Sequence, residues 1–145
     1  MRKTLLGVLA ALLITGASVL ATASPAAARS TKPGDPAGAS VSGAYTFASN
    51  VRWWSKSYFY LNLLVRDTEA DGVHAEGRAQ TKDSSGRITS YPWHKAVGQY
   101  DQWVAKDTHV SNSAGIRSMR VEACRVGKAL PTTCSYSSWK PNPWY

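Results

Sequence analysis

Two runs of strict two-residue alternation constrain this chain more than any other feature. In residues 58–68, Phe59, Leu61, Leu63 and Val65 alternate with Tyr58, Tyr60, Asn62, Leu64 and Arg66. In residues 73–82, Val73, Ala75, Gly77 and Ala79 alternate with His74, Glu76, Arg78, Gln80 and Lys82. Successive side chains of an extended strand point to opposite faces, so each run turns one apolar face toward a core. Further strands are expected at 45–54, 102–110, 117–126 and 135–140, and no segment carries a helical stripe. Short strands separated by turn residues predict an all-β fold, an antiparallel β-sandwich of immunoglobulin-like or jelly-roll-like type.

The stretch between the two runs, Asp67-Thr68-Glu69-Ala70-Asp71-Gly72, begins like an EF-hand calcium loop. Such a loop needs a bidentate carboxylate at its twelfth position, helices on both sides and an apolar residue at its eighth. Arg78 stands at the twelfth and His74 at the eighth, and the flanks are strands. A hairpin closed by Ala70-Asp71-Gly72 fits better. It sets Val65 opposite Gly77, Leu63 opposite Ala79 and Arg66 opposite Glu76, with Gly72 at the left-handed position. Asp67, Glu69 and Asp71 remain a weak calcium candidate, the one metal reading the sequence offers. No cofactor motif is present.

Arg2 and Lys3, the apolar run 5–20 and the small residues 21–28 match a secretory signal peptide, with cleavage expected after Ala28 or alternatively after Ala23. The competing reading is an uncleaved anchor. With cleavage no membrane association is expected, and the protein is expected to be secreted. Loss of Arg2 and Lys3 lowers the formal charge from +8 to +6. Residues 29–43, rich in Pro, Gly and Ser, read as a flexible leader, which leaves 44–145 as one domain. The surplus positive charge suits an anionic envelope polymer, although a surplus of this size also serves solubility alone. Nothing in the sequence specifies a nucleic acid.

Cys124 and Cys134 are the only cysteines. In an exported chain they are expected to form a disulfide across a C-terminal hairpin. That register sets Met119 opposite Trp139 and Val121 opposite Ser137, turns Met119, Val121, Ala123 and Trp139 inward, and turns the disulfide and Tyr136 outward. The hairpin tip runs between Gly127 and Thr133. The Ala70-Asp71-Gly72 turn, the V-E-A-C-R segment from Val121 to Arg125, Cys134 and Trp139 together resemble a loose group of small exported actinomycete proteins. The likeness covers roughly residues 58 to 140. It implies a β-sandwich and export, and it brings no catalytic residues, because the group has no assigned function.

Enzyme signatures are weak. There is no nucleophile elbow, no H-E-x-x-H and no phosphate-binding glycine loop. His74, His94 and His109 stand apart in the sequence, and the carboxylates Asp67, Glu69, Asp71 and Glu76 gather near one turn without a glycosidase pattern. The aromatic content is the better guide, with six Trp and seven Tyr. Trp53 or Trp54, Trp103 and Trp139 are assigned to the core. Tyr58 and Tyr60, expected to lie beside Gln80 and Lys82 on a wet face, could form a sugar-stacking surface completed by Trp93. The function expected is therefore non-enzymatic: an exported binding protein for a polysaccharide or cell-envelope polymer. The alternatives are an inhibitor or toxin-like protein acting on another protein through the tip between Gly127 and Thr133, and, third, a small hydrolase.

Overall fold

The structure, a computed structural model, describes residues 30–97, 100–127 and 132–145. The proposed signal peptide, and residues 128–131 of the hairpin tip, lie outside the described residues. Among the described residues, eleven strands build two antiparallel sheets. The first sheet contains β1 (Lys32–Pro33), β2 (Ala37–Val41), β3 (Ala44–Trp53), β4 (Tyr58–Asp67) and β8 (Trp103–Ser111). β1 and β2 pair with successive stretches of β3, β3 pairs with β4, and β4 with β8. The second sheet contains β5 (His74–Lys82), β6 (Ile88–Ser90), β7 (His94–Ala96), β9 (Ser118–Val126), β10 (Thr133–Tyr136) and β11 (Lys140–Pro141). β5 lies between β9 and the short β6 and β7, and β10 and β11 flank β9. The sheets pack face to face as a β-sandwich. No helix among the described residues is long and apolar enough to cross a membrane.

The alternation places the core as expected. Phe59, Leu61, Leu63 and Val65 of β4 and Ala75 and Ala79 of β5 are buried, together with Met119, Val121 and Ala123 of β9. Trp53 closes one end of the core against Phe59, with ring centroids 4.3 Å apart. The pairing of β4 and β5 is not as expected. They are not a hairpin: they belong to different sheets, and Ala70-Asp71-Gly72 carries the chain across the sandwich. Gly72 does take a positive φ, 78°. Arg66 and Glu76 are not partners. Arg66 is paired with Asp101, and Glu76 with Lys95 and His74.

The leader also departs from expectation. Residues 37–41 pair along β3, and the small side chains of Ala37 and Ala39 enter the core, so the folded unit begins well before residue 44. The C-terminal hairpin holds in its first half. Cys124 is bonded to Cys134 in register, and Tyr136 faces Glu122. The pairing then slips by one, with Lys140 rather than Trp139 opposite Met119. Trp139 is thereby turned to the outer face, half-buried, instead of inward. Trp103 is also outside the core. It is 41% exposed and sits edge-on to Tyr45.

Candidate functional site

Tyr58 and Tyr60 point outward from the first sheet because their neighbours Phe59 and Leu61 point into the core. Their surroundings are set by β3 and β8. Tyr60 stands between Arg52 and His109, and Tyr58 opposite Ser111. Gln80 and Lys82, the expected neighbours, are on the other sheet. His109 lies beside both rings, 5.9 Å from Tyr58 and 5.4 Å from Tyr60 between centroids. The Tyr60 hydroxyl donates to Asp107 at 2.7 Å, and that hydrogen bond raises its pKa above the ordinary phenol value.

The row continues past the sheet edge. Trp53 and Trp54 are adjacent, so alternation that buries Trp53 must expose Trp54. Trp54 is 41% exposed and meets Tyr58 edge-on at 6.1 Å. Trp144 stands across from it. The tail is pinned by Asn142, a buried side chain whose amide donates to Ile116 O at 2.8 Å and to Ser55 O at 3.3 Å. Trp144 Nε1 then donates to Trp53 O at 3.2 Å. Between these rings lies an open cleft of about 610 Å³ lined by Ser30, Trp54, Ser55, Ser57, Tyr58 and Trp144. Lys32 borders it, 4.3 Å from the Trp144 ring. The arrangement offers flat apolar faces, hydroxyls for hydrogen bonding and a cation at the rim.

Trp93 does not join this row. It lies on the outer face of the second sheet, covered by the Arg78 guanidinium at 4.0 Å. The residues the sequence reading missed are Trp54, Trp144 and His109. The tandem Trp53-Trp54 was a signal that one ring had to be outside. Nothing in the sequence brought Trp144 across from it.

The other acidic and titratable groups are engaged elsewhere. Asp67, Glu69 and Asp71 border a second cleft of about 420 Å³ at the opposite end of the sandwich. Arg125 forms ion pairs with Asp71 and, at 3.5 Å, with Glu69, and its hydrogen bond holds the Asp71 carboxyl below the usual range. The guanidinium thus pairs with two of the three carboxylates, Glu69 and Asp71. Glu122, Cys124 and Cys134 also lie together, but sulfurs joined in a disulfide offer no thiolate. His74 is paired with Glu76 at 2.9 Å, and His109 packs between tyrosines. No hydrogen bond among the described residues joins a histidine to a serine. No protein-family model, curated protein or solved structure matches this chain.

Proposed function

We propose that the protein is an exported, non-enzymatic binding protein for a polysaccharide or other cell-envelope polymer. The observation that carries this reading is the outward row Trp54–Tyr58–His109–Tyr60, opening at one end into the cleft beneath Trp144. Ring faces suit the C–H surfaces of sugars, while Ser55, Ser57 and Asp107 stand ready for hydroxyls. The motif likeness to small exported proteins and the Cys124–Cys134 disulfide both support export, where disulfides persist.

Each stacked ring is expected to contribute on the order of 1 kcal/mol, so loss of one weakens binding roughly fivefold. Mature protein carrying Trp54→Ala, Tyr58→Ala or Tyr60→Ala should be retained less by an insoluble envelope polysaccharide, with the melting temperature nearly unchanged. Trp93→Ala, on the other sheet, should bind as the parent does. Equal retention of all four variants would remove the row from the binding surface.

A further inference from the structure

The outer face of the second sheet carries a different construction. Arg120 of β9 lies against two rings, its Cζ 4.1 Å from the Tyr136 centroid and 4.5 Å from that of Trp139. Lys82 of β5 sits against the same indole, 4.2 Å from its centroid. Arg120 Nε donates to Gln80 Oε1 at 2.8 Å. Gln80 is only 5% exposed, and its own amide is spent on Ser90 Oγ at 3.0 Å and Glu122 Oε2 at 3.1 Å. Glu122 is in turn neutralised by Arg78, with Nε to Oε2 at 2.6 Å. The guanidinium is therefore packed against two rings and anchored through its Nε.

Its remaining edge is open. Among the described residues, neither terminal nitrogen of Arg120 has a hydrogen-bond acceptor, and no carboxylate lies within ion-pair distance of Arg120 or Lys82. The two carboxylates on outward positions of this face, Glu76 and Glu122, are both occupied, Glu76 by Lys95 at 2.8 Å and by His74. The surplus positive charge of the face resides on Arg120 and Lys82. A guanidinium that packs against aromatic rings and whose Nε is anchored presents a planar pair of N–H donors in a set direction, and that fork matches the two oxygens of a carboxylate or phosphate.

We propose that Arg120, oriented by Gln80 and by the rings of Tyr136 and Trp139, is an oxyanion receptor, and that with Lys82 it binds a linear polymer bearing phosphate or carboxylate groups. The site is separate from the aromatic row, on the opposite face of the sandwich. It needs no ordering on binding, because the network that aims Arg120 is already made within the fold. Lys82 adds a second charge beside the same indole, suited to the next anionic group along a chain.

The test uses the mature protein with two probes, polyphosphate and polygalacturonate, and dextran as a neutral control. Both polyanions should bind with an affinity that falls as salt rises, and dextran should not compete. Arg120→Gln should weaken polyanion binding about tenfold. Arg120→Lys keeps the charge beside the rings but loses the fork, and should recover only part of that loss; it also serves if the glutamine variant does not fold. Lys82→Gln should reduce the salt dependence by about one counterion. A preference for polyphosphate identifies phosphate as the group recognised, a preference for polygalacturonate identifies carboxylate, and equal binding identifies the shared oxyanion. Binding of neither probe, or full activity of Arg120→Lys, would overturn the proposal. Loss of polyanion binding in Tyr58→Ala would overturn it as well, by moving the anion to the first sheet, whereas failure of the aromatic row to bind polysaccharide leaves it intact.

Discussion

On the outer face of the first sheet, Trp54, Tyr58 and Tyr60 have aromatic neighbours and, among the described residues, no lysine or arginine over their rings, although Arg66 covers Trp103 and Lys32 covers Trp144. On the outer face of the second, Trp93, Tyr136 and Trp139 each lie against a guanidinium or ammonium group from the same sheet. A ring already covered by a cation has one face fewer to offer a sugar, and it serves instead to hold the charge in place. The number of aromatic residues in a sequence therefore says little about ligands.

The two faces are held back to back by the packing of the sheets, which approach closely at Gly77. A Cβ at Gly77 would lie under 3 Å from side-chain atoms of Thr46 and Val65 on the facing sheet. Gly77→Val should cost about 3 kcal/mol, seen as a large fall in melting temperature, and should impair both faces together. Removing the disulfide acts on one face only. Cys134→Ser, with Cys124→Ser, should cost about 2 to 3 kcal/mol on the chain-entropy account. Below the melting transition it should weaken polyanion binding through β9 and β10 while polysaccharide retention stays as in the parent. Equal loss at both faces would end the claim that they are independent.

The smallest expected effect concerns His94 of β7. Burial, with Lys106 nearby, holds its pKa below the ordinary imidazole value. As pH falls below about 6.5 the unfolded chain takes up the proton first, so stability is lost from there down toward the lower folded pKa. Melting temperatures between pH 7.5 and 5.0 should fall, and His94→Gln should flatten that slope without altering either binding face.

The strands were legible in the sequence because alternation is a local property. Their partners were not. Leu63 and Ala79 face a common interior whether β4 and β5 are neighbours in one sheet or facing strands of two, so side-chain parity fits a hairpin and a crossover equally well. The leader was misjudged because Ala37 and Ala39 bury too little to produce a hydrophobic signal, yet fill the space that the sandwich leaves beside β3. Trp139 was displaced by the slip after Tyr136, which no pattern in residues 135–140 announces. For the candidate site, Tyr58 and Tyr60 could be read as outward residues. Trp144 could not be placed, because it reaches Trp53 only through the fold of the tail.

The crossover at Ala70-Asp71-Gly72 also governs the order in which the molecule can fold. A chain available only to residue 117 contains every strand of the first sheet but only β5, β6 and β7 of the second. Met119, Val121 and Ala123, which cover the middle of the core, are still missing, and so is the tail that carries Asn142 and Trp144. The β3–β4 hairpin can form early, but β4 must wait for β8 and β5 for β9, each across a long loop whose closure is slow. The final segment, which pairs β9 with β5 and brings Trp144 to Trp53, completes the second sheet and closes the core.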